Sequence, residues 1–369
     1  MTEMNQTLGA DNVLDPLGAL VRPPDEIGLE KILLFPEKFP ALELNLRGVD
    51  HLYPVSVELS LTSRCNLSCL WCCDLESRAL CPDRIDLNDL DSLFGDLAQG
   101  GTKGVTIEGG GEPTLWPHFV EGTKLARAHG LSVGLITNGT NLFPQGREED
   151  FYSNFQWIRL SLDAPEAELY KKLKGYDGFD ILLDSLSKLA KIKSRPVLGV
   201  GYVLTCLNDD PAALRRLALR LRERGADYLH LRPVVDHDEL VSHRDPRIIL
   251  DHLRDLETSK FTINAKALID NQVFGNDGLP CLAHSLSTVI TADGSVFLCG
   301  RLNDDPVTGS MGNIKNDYFK DIWAGEKRRE QVALSAQGQY CLENCPQCRM
   351  TKYNRLLHNL KRVKTPDFI

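Results

Sequence analysis

The stretch SRCNLSCLWCCD, residues 63–74, places four cysteines within twelve residues, with Trp71 just ahead of the last pair. Three candidates explain thiols this dense: a disulfide staple, a structural zinc, or an iron–sulfur cluster. The segment before it, VSVELSL (55–61), is β-branched and apolar and reads as a buried strand that ends at the cysteine loop. The fold therefore turns on the pattern of the chain after that loop.

From there strand-like and helix-like segments alternate. LNDLDSLFGDLAQ (87–99) has apolar residues at helical spacing, and GVTIEGG (104–110) is a strand running into glycines. FVEGTKLARAHG closes as a helix at Gly130, before the strand LSVGLITNG (131–139). WIRLSLD (157–163) is a strand, followed by helical DILLDSLSKLAKI. The strand VLGVGYVLT (197–205) comes next, then a helix between Pro211 and Gly225, then the strand YLHLRPVV (228–235). Strands alternating with helices predict an α/β fold with a parallel sheet, a partial (β/α)6 TIM-like barrel. The cysteine loop, GGGEP, TNGT, SLDA and RPVV all fall at C-terminal strand ends, the rim where such sheets carry their active sites.

After about residue 236 the pattern changes. CLAHSLSTVITADGSVFLCGR holds two alternating segments joined by Asp293-Gly294, a hairpin signal. The helical stretch YFKDIWAGEKRREQVALS, then CLENCPQC and a basic C-terminal helix complete the chain. The expected organisation is a Pro-punctuated lead-in over 1–54, a barrel over 55–240, and a small α+β domain over 241–369.

Composition limits function. The chain of 369 residues is 42% hydrophobic and 25% charged, with net charge −9, which speaks against a nucleic-acid binder. The N-terminus lacks a basic start and an apolar core, so it is no secretory signal, and no apolar run reaches membrane-spanning length. We expect a cytoplasmic protein with neither nucleic acid nor membrane as partner. Eleven cysteines in a reducing compartment are poorly explained by disulfides, and that candidate drops out.

Cys65, Cys69 and Cys72 stand as C-x3-C-x2-C. Three thiolates on one loop hold three irons of a [4Fe–4S] cube and leave the fourth open. A zinc would require a distant His or Cys, because Cys73 is too close to Cys72 to share one tetrahedral ion. Spacing alone leaves both open.

CNLSCLWC (65–72), with GGEP (110–113) after the second strand, resembles the radical S-adenosylmethionine (SAM) enzymes across about Val55 to Val235. The resemblance implies a SAM-binding [4Fe–4S] cluster on Cys65, Cys69 and Cys72. Its open iron would take the amino and carboxylate groups of SAM, and an electron from the cluster would release a 5′-deoxyadenosyl radical. It further implies SAM contacts at Gly110, Gly111, Glu112 and Pro113, and Trp71 near adenine. Asn138, Ser161, Asp163 and Val203 match strand-end positions that meet ribose, carboxylate or adenine. Cys73 and Cys81 are left over and read as small buried hydrophobes or, less simply, as hydrogen-atom donors.

Cys281, Cys299, Cys341, Cys345 and Cys348 form a second set, whose ligand type suits zinc or iron–sulfur equally. Together with MGNI (311–314) and DIW (321–323), they resemble the SPASM extension and its shortened twitch form. The resemblance implies one auxiliary [4Fe–4S] cluster on Cys281, Cys299, Cys345 and Cys348, with Cys341 as a replacement ligand or a spare thiol.

The resemblance also implies an electron donor such as flavodoxin or ferredoxin. A substrate radical is either oxidised or given a hydrogen atom by a thiol, which yields an epimer. Cys206, at the end of the fifth strand, is the best-placed spare thiol for the second outcome, although a buried strand residue is the simpler reading of it. Peptide maturases of this family carry a leader-gripping N-terminal domain, and a lead-in of about fifty residues is too small and irregular for one. We therefore expect a small-molecule substrate such as a polyol, sugar or aminoglycoside-like intermediate, with a ribosomal-peptide maturase as the alternative. His230, Arg232, Asp236 and His237 would line its pocket. A zinc-stabilised module without catalysis is the reading from another class.

Overall fold

In the computed structural model the first strand, β1, covers Ser56–Leu59, and the cysteine loop leaves its C-terminal end. The structure describes residues 29–39, 47, 52–75, 78, 84–235, 237–265, 268, 278–300, 309–338, 342–343, 348 and 350–362.

Alternation then builds the units that the sequence predicts, with one further helix, Ala167–Lys174, between the fourth and fifth strands. α1 (Leu87–Gln99) turns Leu90, Leu93, Phe94 and Leu97 inward at helical spacing and leads to β2 (Gly104–Ile107). α2 (Phe119–Ala128) leads to β3 (Ser132–Thr137), and β4 (Trp157–Ser161) comes next. α3 (Ala167–Lys174) and α4 (Phe179–Lys191) precede β5 (Val197–Leu204). α5 (Pro211–Glu223) starts where the Asp210 carboxylate accepts from Ala213 N at 2.6 Å, with Pro211 preset for the first turn, and β6 (Tyr228–Pro233) lies beyond it.

β1 to β6 pair in chain order, every neighbour parallel. The chain past residue 240 then adds to both edges. α6 (Pro246–Leu253) leads to β7 (Thr262–Asn264), which pairs parallel with β6. β8 (Ser287–Ile290) returns to the opposite edge and pairs parallel with β1. Asp293-Gly294 turns it into β9 (Ser295–Phe297), and β10 (Gly312–Asn313) completes the antiparallel end. The order β10-β9-β8-β1-β2-β3-β4-β5-β6-β7 leaves β10 and β7 as edges, an unclosed partial barrel with a C-terminal strand-and-helix region. α7 (Phe319–Trp323), α8 (Glu326–Ser335) and α9 (Thr351–Arg362) belong to that region.

One sheet face carries the core: Val57, Leu59, Val105, Ile107, Ile158, Leu160, Leu229 and Leu231 are buried. The alternate residues form the other face, which is largely polar: Glu58, Thr106, Arg159, Ser161, His230 and Arg232 are half-buried there. Two rings fill part of this face because glycines give them room. A β-carbon at Gly134 would lie 2.3 Å from the Trp157 ring, and one at Gly199 would lie 2.0 Å from Tyr228.

Among the described residues, no helix is long and apolar enough to cross a membrane.

Candidate active site

The cysteine loop is fastened on two sides. Ser68 N donates to Lys174 O at 2.9 Å and Leu70 N to Leu173 O at 3.1 Å, tying both flanks of Cys69 to the end of α3. Opposite, Gly111 N donates to Thr62 O at 2.9 Å and Glu112 N to Arg64 O at 2.7 Å. That approach explains Gly111: a β-carbon there would sit 2.1 Å from the Arg64 carbonyl oxygen. The resemblance assigns this glycine to the approach of SAM, whereas here the chain's own backbone fills the space. Gly110 takes φ +42°, a left-handed value that glycine tolerates best. Gly111→Ala should push the GGEP turn off the cysteine loop. We expect at least a tenfold loss of bound iron, about the size of an outer-shell lesion at a metal site, as read by iron analysis after anaerobic reconstitution.

Glu112 is the hub of the rim. It is buried, and Oε1 accepts from Thr114 N at 3.1 Å and from the hydroxyls of Thr114 and Thr137 at 2.6 Å each; Oε2 accepts from Asn138 N at 2.7 Å. Burial raises its pKa, against the downward pull of those donors. Its carboxylate thus joins the β2 and β3 ends. Asn138 is engaged in the same way: its amide nitrogen donates to Asn66 Oδ1 at 2.8 Å, and its Oδ1 accepts from Thr140 N at 2.9 Å. Asn66 lies within the cysteine loop, so β3 also braces it. Pro113 is buried at the start of the short turn after Glu112.

Past β4, Asp163 is the only non-glycine with positive φ among the described residues, at +59°. Its Oδ1 accepts from Val203 N at 2.6 Å, and its Oδ2 accepts from the Lys174 ammonium. Lys174 lies 5.4 Å from the Trp71 ring centroid, and its charge lowers the Cys69 pKa. Sequence reasoning missed Lys174, which sits in an ordinary KKLKG helix end. Ser161 is half-buried on the polar sheet face.

The residues at the loop fit a thiolate-held cluster. Cys65, Cys69 and Cys72 are half-buried thiols; burial is the largest influence on Cys69 and Cys72 and raises both. Two cations offset it, Lys174 at Cys69 and Arg78 at Cys72. Among the described residues no three His, Cys, Asp or Glu side chains converge on a single-ion position. Three thiols on one loop are the donor type that an iron–sulfur cluster takes. Cys73 is exposed, its thiol donating to Asp74, and Cys81 lies outside the described residues.

In the C-terminal region, α9 is clamped onto the segment that carries Cys281. Asn354 Oδ1 accepts from Leu282 N at 2.6 Å, and its amide nitrogen donates to Pro280 O at 3.1 Å. Cys348 O accepts from Thr351 N and Oγ1 at the start of the same helix. Cys281, Cys299 and Cys348 are half-buried thiols, a donor set suited to iron–sulfur; Cys341 and Cys345 lie outside the described residues.

Cys206 is exposed in the turn after β5, its thiol 3.8 Å from Glu239 O. His230 and Arg232 are on the polar sheet face, whereas His237 pairs with Glu239 in an exposed turn; Asp236 lies outside the described residues.

Two family profiles match: the radical SAM superfamily over residues 59–218 and the SPASM iron–sulfur cluster-binding domain over residues 281–349. The second begins at Cys281 and ends one residue past Cys348. Mycofactocin maturase MftC of Mycobacterium tuberculosis is 28% identical over 298 residues, covering 75% of this chain and 71% of that protein. The AdoMet-dependent heme synthase of Methanosarcina barkeri is 25% identical over 332 residues, covering 81% and 92%. Among solved structures, Streptococcus suis SuiB bound to precursor peptide SuiA matches with TM-score 0.63 at 14% identity, covering 99% of this chain and 83% of that one. The first expectation about substrate is thereby overturned. A mycofactocin maturase, and a protein crystallised with a precursor peptide, stand where a sugar, polyol or other small-molecule partner was expected. The error came from inferring substrate class from the length before Val55, a quantity that says nothing about the rim itself.

Proposed function

This chain belongs to the radical SAM superfamily and carries a SPASM iron–sulfur domain, and from that premise we propose that it is a maturase that modifies a peptide by radical chemistry. The single observation carrying the peptide reading is the similarity to mycofactocin maturase across three quarters of the chain. Its cofactors are the [4Fe–4S] cluster, SAM and auxiliary iron–sulfur. When bound, these supply a 5′-deoxyadenosyl radical that takes a hydrogen atom from a C–H bond, and an acceptor for the electron left behind.

The chain's own contribution is placement. Cys65, Cys69 and Cys72 hold the first cluster, and Cys281, Cys299, Cys345 and Cys348 hold one auxiliary cluster. Gly110, the 111–113 turn, Trp71, Asn138, Ser161, Asp163 and Val203 surround the SAM position. Glu112 acts there through the backbone it fixes, because its carboxylate is already taken by four donors of this chain. The polar sheet face, with Arg159, Ser161, His230 and Arg232, receives the peptide side chain and orients its reactive C–H bond. The outcome we favour is oxidation, because a SPASM domain provides an electron acceptor whereas the Cys206 thiol is exposed and directed at Glu239 O.

The test uses the full chain reconstituted anaerobically, with SAM and dithionite in deuterated water. The probes are a library of short synthetic peptides, set against a panel of sugars and polyols. A peptide should raise 5′-deoxyadenosine release above the uncoupled rate and emerge lighter by two hydrogens. Stimulation by a sugar or polyol and by no peptide overturns the maturase reading. Deuterium gained by the peptide, and lost in Cys206→Ser, replaces oxidation by thiol return.

A further inference from the structure

Behind the cysteine loop lies a buried ion pair whose carboxylate also accepts from Val203 N at the end of β5. Lys174 and Asp163 have side chains only 3% and 4% exposed, and the ammonium donates to Asp163 Oδ2. Removing two charges from water is costly, and a pair of this kind is poor evidence for stability. Asp163 also occupies the left-handed region, at φ +59°. Asn208 holds that conformation by donating to Asp163 O at 2.8 Å and Val203 O at 2.9 Å.

The pair is aimed at the cysteine loop. The Lys174 and Leu173 carbonyls accept from Ser68 and Leu70, the neighbours of Cys69 on either side. The Lys174 ammonium sits over the Trp71 ring, one residue before Cys72. Asp163, paired with that ammonium, brings the opposite charge to the same buried place.

We propose that Lys174 is a positioning residue that holds a buried positive charge beside the Cys69 corner of the SAM-binding cluster and makes its reduction easier, with Asp163 setting how much of that charge is felt. Reduction adds an electron to a cluster already rich in thiolate charge. A cation in a dry pocket stabilises the reduced form more than the oxidised form, and an anion does the reverse. The proposal rests on the cluster assignment and not on the peptide reading, so either can fail without the other.

The test is an EPR-monitored redox titration of the reconstituted full chain, following the signal that SAM addition perturbs, with iron content measured beside it. Lys174→Met should move the midpoint to more negative potential, Asp163→Asn should move it to less negative potential, and Lys174→Arg should keep the native value. Opposite signs from the two halves of one pair are a signature that loss of packing cannot produce. Shifts of the same sign, or an unmoved midpoint in an iron-replete Lys174→Met chain, overturn the proposal. Should that chain not retain iron, Asp163→Asn decides: a midpoint that fails to rise overturns it equally.

Discussion

Cys65→Ser, Cys69→Ser and Cys72→Ser should each bring 5′-deoxyadenosine release to the detection limit and strip most of the iron from the first cluster. The expected loss exceeds the ~10–100-fold typical of removing an outer-shell partner, because here the ligand itself is removed. A serine hydroxyl is a hard oxygen donor where the site offers a soft thiolate. The loop cannot slide to compensate, since Ser68 and Leu70 are tied to α3 and Arg64 to the GGEP turn. The neighbouring thiol is the internal control. Cys73 is exposed and engaged with Asp74, so Cys73→Ser should retain iron and nucleoside release within about twofold, as surface changes away from such features usually do. Iron analysis and chromatography of the released nucleoside check both halves. A colourless, active Cys69→Ser chain would remove the basis for any cluster at this loop.

The difference between what the residues disclosed and what the coordinates added is physical. Strands and helices up to β6 follow from local patterning, with boundaries within a few residues of the alternating runs, except α3 (Ala167–Lys174), which the sequence reading did not anticipate. The cysteine spacing was equally plain. Lys174 was not, because its meaning depends on Asp163, eleven residues away across a helix, and on a loop a hundred residues earlier. The role of Gly111 was hidden for the same reason: the atom it makes room for belongs to Arg64. The parallel docking of β8 on β1 joins residues 287–290 to 56–59, a pairing that no short-range period reports. Substrate class was the least legible quantity. Arg159, His230 and Arg232 announce a polar face, and polarity alone suits a sugar as well as a peptide side chain.

Glu112→Ala should destabilise the chain by about 4 kcal/mol, near the upper limit for single substitutions, because it leaves buried donors without acceptors. Four donors converge on this carboxylate: two backbone N–H groups, from Thr114 and Asn138, and two threonine hydroxyls. The hydroxyls can rotate toward other acceptors, but the N–H groups are fixed by the β2 and β3 ends. Glu112→Gln keeps one acceptor oxygen and should cost less, about 1–3 kcal/mol, since its amide nitrogen meets at least one donor head-on. The pH dependence separates charge from shape. Burial raises the Glu112 pKa above its ordinary 4.5, so folding favours the protonated acid. The native chain's advantage over the Gln variant is therefore largest below pH 4.5 and shrinks as pH rises through the folded pKa. Thermal and denaturant unfolding of the three chains across that range measures it. An alanine variant as stable as the native chain would mean that the rim is held elsewhere, and the iron-binding loop with it.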